Sequence, residues 1–132
     1  MDVISKDIAQ IEVEKWLDHK KIGSKKRELQ KDNIDTLIDA IAEGALVLKD
    51  DCTLVHTLKF PTDGELSIKV LEYKPRIKME TIQVHLQGVK AADADGRVNA
   101  YIAALTSKPK DLIKKLDTED YSICQSVAIF FL

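Results

Sequence analysis

The chain has 132 residues, of which 45% are apolar and 32% charged, and its formal net charge is −2. That balance supports one folded domain and excludes a disordered polymer. The near-neutral charge gives no global field to draw in nucleic acid or an anionic membrane. Aromatic residues make up only 5%, so the core must rest on Ile, Leu, Val and Ala. The opening "MDVISKDIAQ" has neither a basic n-region nor an apolar h-region, so no secretory leader is expected. The terminal "VAIFFL" is far shorter than the ~20 apolar residues a bilayer span needs. Two cysteines, Cys52 and Cys124, do not make a disulfide framework, and reduced thiols in a cytoplasm are expected.

Residues 7–20 read as a first helix, with Ile8, Ile11, Val13, Trp16 and Leu17 on one broad side. "KIGSKK" breaks that pattern. Gly23 is placed to stop this helix and Ser24 to cap the next. A second helix is predicted over 24–43, from Leu29, Leu37, Ile38, Ile41 and Ala42, with Gly44 as its end. The two form an N-terminal helical hairpin, a module of residues 1–44. It carries a basic cluster of Lys15, Lys20, Lys21, Lys25, Lys26, Arg27 and Lys31, opposed only by Asp18 and Glu28. Such a cluster reads either as a solvated helical face or as a docking patch for an acidic partner.

The period then changes from helical to alternating. "ALVLKDDCTLVHTLKF" predicts two short strands around the acidic turn Asp50–Asp51, with Leu54, His56 and Leu58 sharing one face. "PTDG" at 61–64 is a turn. "ELSIKVLEYK" follows as a third strand with Leu66, Ile68 and Val70 on one face, closed by Pro75. A small antiparallel sheet over about 45–73 results. The remainder reads as helix: "KMETIQVHLQGVK" with Ile82, Leu86 and Val89, then "DGRVNAYIAALTS" with Val98, Tyr101, Ile102 and Leu105. Pro109 opens a short helix, "PKDLIKKL". A last helix is capped by Asp117 or Thr118, with Glu119 and Asp120 in its first turn beside the positive end of the helix dipole. Its apolar face is Ile123, Val127 and Phe130–Phe131. The expected packing sets Ile123, Val127 and Phe130 on Tyr101, Ile102 and Leu105. Phe131 and Leu132 are left as surplus apolar surface for a partner. The fold class is α+β: an N-terminal helical hairpin, a small sheet and a C-terminal helical bundle, with residues 45–132 as the α+β part of one compact unit.

The motifs of chemistry are few. "DADG" at 93–96 resembles the start of a calcium loop, but Arg97, Val98 and Ala104 stand where ligands and the turn glycine would be needed. A cap and turn before a helix is the expectation there. Cys52 and His56 lie on the same side of one strand, yet His19, His85 and Cys124 complete no zinc spacing. His85 is expected as a hydrogen-bonded structural histidine. No glycine-rich phosphate loop and no nucleophile elbow is present. The carboxylate pairs Asp50–Asp51 and Glu119–Asp120 sit where caps and solubility account for them. The basic runs "SKKREL" and "LEYKPRIK" lack interleaved aromatics, which disfavours nucleic-acid binding. No catalytic activity, metal or cofactor is expected.

"LKFP", a strand ending in "YKPR", and then "YIAALTSKPKDLIKKLDTEDYSICQSVAIFFL" together resemble the tail assembly chaperones of tailed bacteriophages, in particular the small family from contractile-tailed phages and prophages. The matching positions are Leu105–Thr106, Leu112, Leu116, Asp120 and the Phe130–Phe131 end, within a resemblance covering residues 54–132. Residues 1–44 lie outside it, as an added module that carries the basic cluster. The resemblance implies a non-catalytic protein of the bacterial host cytoplasm. It would bind the long helical tape measure protein, assist tube subunits to gather on it and be absent from the mature virion. The tail tube protein is then a second partner, and self-association is compatible with this role. The alternative is a permanent tail or baseplate component. The candidate partner-binding residues are Lys25, Lys26, Arg27, Tyr73, Lys74, Arg76, Phe131 and Leu132.

Overall fold

The computed structural model describes residues 3–64 and 67–132. Three helices, a three-stranded antiparallel sheet and four further helices follow in chain order, an α+β arrangement. The elements are α1 (Lys6–His19), α2 (Ser24–Leu29), α3 (Lys31–Ala42), β1 (Leu46–Leu48), β2 (Leu54–Thr57), β3 (Val70–Tyr73), α4 (Met79–Leu86), α5 (Ala94–Thr106), α6 (Lys110–Ile113) and α7 (Thr118–Ala128).

Helix α1 starts where Ser5 Oγ accepts the Ile8 N–H at 3.2 Å. Its buried stripe is Ala9, Val13, Trp16 and Leu17, at spacings that return to one face of a helix. Ile8 and Ile11, expected on that face, flank it instead and are 50% and 52% exposed. The helix ends in a Schellman motif, with the Lys21 N–H on the Asp18 carbonyl and the Ile22 N–H on the Leu17 carbonyl. The left-handed residue of that motif is Lys21, at φ 58°, not Gly23, which is extended at φ −74°. Gly23 is instead the N-cap position of α2, so Ser24 is the first helical residue and makes no cap.

One helix was expected over 24–43, but two are found. The chain breaks at Gln30 (φ −107°, ψ 27°) because the halves answer to different forces. Helix α2 buries no residue and leaves Leu29 72% exposed. Helix α3 buries Leu37, Ala40, Ile41 and Ala42 against α1, β1 and α7. Asn33 marks the junction: its Nδ2 donates to Gln30 Oε1 at 2.7 Å and its Oδ1 accepts from Ser126 Oγ at 3.0 Å. Gly44 ends α3 at φ 85°, where it supplies the left-handed turn.

The sheet has strand order β1-β2-β3, with Leu46 opposite His56 and His56 opposite Leu71. The β1–β2 turn places Cys52 left-handed at φ 67°, outside β2, so Cys52 and His56 do not share a strand face. Strand β3 departs from the expected alternation. Ile68 is buried, but Val70 is 44% exposed while Leu71 and Tyr73 are buried. The backbone bends at Lys69, between the part of the segment that bonds Thr62 and the part that pairs with β2, and the bend shifts the facing by one residue. Leu66 lies outside the described residues.

Helix α5 is the centre of the second half. Residues 99–106 are all buried, which fits a helix surrounded by α4, α6, α7 and β3. Asp93 Oδ1 caps it by accepting the Gly96 N–H at 2.9 Å, the cap role expected of "DADG". Asp117 caps α7 through the Glu119 N–H at 2.9 Å. Phe130 meets Trp16 edge-to-face at 5.6 Å, so the end of the chain packs on α1 as well as on the C-terminal helices. One hydrophobic core therefore runs from Ala9 to Phe130 and includes both the 1–44 segment and the rest.

Left-handed backbone at a residue with a side chain costs on the order of 1 kcal/mol. Lys21→Gly and Cys52→Gly are therefore each expected to raise unfolding stability by about 1 kcal/mol in urea titrations, additively because the turns share no partner. An unchanged midpoint in both variants would contradict the assigned turns.

Candidate functional site

The densest group of chemically capable side chains is interior. His56 on β2, Tyr73 on β3, and Asp120 and Cys124 one turn apart on α7 are all buried. His56 Nδ1 lies 2.8 Å from Tyr73 Oη, and Tyr73 Oη lies 2.9 Å from Cys124 Sγ. At the other end, His56 Nε2 lies 3.3 Å from Asp120 Oδ1. Asp120 also accepts two main-chain N–H groups, Lys59 on Oδ1 and Phe60 on Oδ2, both at 2.9 Å. Its neighbour Glu119 is exposed at the helix start, so the two carboxylates expected to serve alike have opposite environments.

The proton positions follow from these partners. Burial lowers the pKa of His56, against the opposing pull of Asp120, so the imidazole is neutral. One ring N–H must then face the carboxylate, which places it on Nε2 and leaves Nδ1 to accept from the Tyr73 hydroxyl. Tyr73 in turn presents its oxygen to the Cys124 thiol. Burial holds the phenol well above its ordinary pKa and pushes the thiol up to about 12. A nucleophilic cysteine needs the opposite shift and access to a substrate. Although thiol, imidazole and carboxylate are all present, the arrangement fastens α7 to the sheet and offers no nucleophile.

The residues expected to bind partners fall into four groups. Tyr73 is 1% exposed inside the interior cluster and cannot dock a partner, because the shifted facing of β3 turns it inward. Arg27 is occupied within the fold: its Nε donates to the Ile22 carbonyl at 2.8 Å and its Nη2 pairs with Asp18 at 2.7 Å. Lys25 and Lys74 are exposed without a side-chain contact of this kind among the described residues. Lys26, Phe131 and Leu132 do converge, around Lys20, a member of the basic cluster outside the candidate set, and the charge of Arg76 acts on the same residue. Lys20 Nζ sits 3.1 Å from the centroid of the Phe131 ring and 5.6 Å from that of Trp16. Lys26 Nζ donates to the Leu132 main-chain oxygen at 3.1 Å. Burial lowers the Lys20 pKa to about 8, and the charges of Arg76 and Lys26 add to the effect. The aromatic faces act the other way and hold the ammonium in place.

A second surface feature lies between α1 and β1. Ile4, Ile8, Glu12, Ile41, Gly44, Leu46, Val47 and Leu48 line an open groove of about 340 Å3 between α1 and β1. Strand β1 is an edge of the sheet, and Val47 on it is 54% exposed. The helical periodicity of α1 contains Ile8, but only the position of β1 decides that it borders a groove.

Among the described residues no group of three or more His, Cys, Asp or Glu side chains is placed to hold a metal ion, and no helix is long and apolar enough to cross a membrane. No protein-family model, curated protein or solved structure matches the chain.

Asp120→Asn keeps the shape but turns an amide N–H toward main-chain donors, so it is expected to lose about 2–4 kcal/mol of stability. Tyr73→Phe leaves His56 Nδ1 unpaired and is expected to lose about 1–2 kcal/mol. Urea unfolding of both variants measures this, and wild-type stability in Asp120→Asn would refute the cluster. The lowered His56 pKa has a further consequence. Below about pH 6.5 the unfolded chain takes up a proton that the folded chain resists, so stability falls as pH drops from there toward the lower folded value. His56→Gln should flatten that part of the stability–pH curve, and an equally steep curve in the variant would contradict the assignment.

Proposed function

We propose that the chain is a non-catalytic tail assembly chaperone of a tailed bacteriophage or prophage. It holds a tape measure protein in soluble form while the tail tube assembles. The observation that supports a client-holding role is the apolar groove between α1 and β1, bordered by Ile8 and Val47 beside the open edge of the sheet. A long amphipathic helix lays its apolar side chains into such a groove. Exposed aliphatic residues that adjoin one another are a feature of interaction surfaces, whereas single ones are ordinary. The sequence resemblance over 54–132 supplies the identity of the client and of the tail tube protein as a second partner. It lies outside the groove, so the two supports are separate.

Co-expression with a tape measure protein encoded beside the chain, followed by affinity capture, tests this reading. The expected result is co-purification, with the client shifted into the soluble fraction. Ile8→Glu combined with Val47→Glu should reduce client recovery several-fold while leaving the helical circular dichroism unchanged, because both positions line the groove and are half exposed and Glu at position 8 suits the first turn of α1. A client that stays insoluble and uncaptured with the wild-type chain would overturn the proposal. Finding the chain in purified particles would favour the tail-component alternative.

A further inference from the structure

The interior cluster is closed and the groove belongs to the proposed client site, which leaves the cationic corner unexplained. We infer that Lys20 and Arg76, with Lys26 at the rim and Trp16 and Phe131 behind, form a docking site for an acidic segment of a protein partner, a peptide stretch with adjacent carboxylates.

Three observations lead there. Lys20 and Lys26 belong to one basic run, and the fold brings the end of the chain to it: Lys26 bonds the Leu132 oxygen and Lys20 rests on the Phe131 ring, while the charge of Arg76, from the segment after β3, also acts on Lys20. Next, Lys20 and Arg76 form no ion pair among the described residues. Among the described residues, lysine and arginine ion pairs form at Lys6–Asp39, Lys15–Glu12, Arg27–Asp18 and Lys59–Glu43, and none involves Lys20, Lys26 or Arg76. Lys26 is met by the Leu132 oxygen, but no side-chain carboxylate among the described residues pairs with Lys20 or Arg76, and in a chain of net charge −2 these two repelling cations are a local excess that a bound anion would relieve. Finally, the corner is partly preorganised. The Lys20 ammonium rests on the Phe131 ring near Trp16, so less side-chain freedom is lost on binding, and partial burial strengthens its attraction to an anion.

The same observations select the ligand. A long polyanion such as nucleic acid or a charged bilayer would meet the overall negative charge of the chain, while a short acidic peptide engages the corner alone. The site stands independently of the client groove, since it lies on other residues and needs no helical ligand.

Trp16 is the only tryptophan of the chain and stands beside Lys20, so its fluorescence reports on the corner. The probe is an end-capped hexaglutamate peptide, titrated into the full chain at about 20 mM and at about 200 mM salt, which span long and short screening lengths. The expected result is a saturable change at low salt that weakens at high salt. Lys20→Gln combined with Arg76→Gln should weaken binding about tenfold, the equivalent of about 1.4 kcal/mol. Lys114→Gln combined with Lys115→Gln removes the same charge from exposed positions elsewhere and should leave affinity within twofold, with folding of both variants checked by melting. Three outcomes would overturn the inference: no saturable change, equal weakening in the two double variants, or tighter binding of inorganic triphosphate or of a single-stranded oligonucleotide than of the peptide.

Discussion

Asp120 carries a charge into the interior and spends it on three donors: the main-chain N–H groups of Lys59 and Phe60 and the His56 ring. Desolvating a carboxylate costs several kcal/mol, and only well-placed hydrogen bonds offset that cost. Two of the three come from backbone at the end of β2, so the position of α7 and the course of the chain leaving β2 are fixed together. His56 passes the constraint to Tyr73 on β3, and Tyr73 passes it back to Cys124 one turn along α7. A sheet whose strands are three or four residues long gains little from its own ladder. The polar bridge and the apolar faces packed around it hold it against the helices.

The surfaces inherit their shape from this interior. With α7 set by Asp120, its continuation carries Phe130 against Trp16, and Phe131 then lies under Lys20. The cationic corner is thus an outward extension of core packing, and part of its order comes from contacts that exclude water. The groove between α1 and β1 has the same origin. Helix α3 packs on both α1 and β1, and the stripe from Ala9 to Leu17 turns α1 so that Ile8 and Ile11 face outward. The interaction surfaces proposed for a client and for an acidic segment therefore rest on one scaffold but share no side chain.

Much of the framework was readable from residue order. The first and last long helices, the hairpin at Asp50–Asp51, the glycine stop at Gly44 and the caps at Asp93 and Asp117 follow from local chemistry, which acts within a few residues. What was not readable depended on partners far along the chain. Asp120 beside Glu119 looks like a helix-start pair, and only a loop sixty residues away makes one of them interior. The inward turn of Tyr73 required the bend at Lys69, which period-two counting carries straight through. The break at Gln30 was hidden because both halves are good helix sequence, and the core engages only the second. Of the candidate partner residues, Lys26, Arg76, Phe131 and Leu132 were chosen by charge and apolarity alone. Lys20, which rests on Phe131, stood in the basic cluster with no local signal to separate it from the other lysines there.

Amide hydrogen exchange at Lys59 and Phe60 tests the buried carboxylate most directly. Both residues have exposed side chains at the end of a short strand, where amides ordinarily exchange by local fraying. If Asp120 holds them from the interior, their N–H groups exchange only as slowly as the core of α5, and Asp120→Asn speeds these two far more than it speeds that core. Fast exchange of both amides in the wild-type chain would mean that the carboxylate does not organise the fold, and the account given for α7 and the surfaces built on it would fall with it.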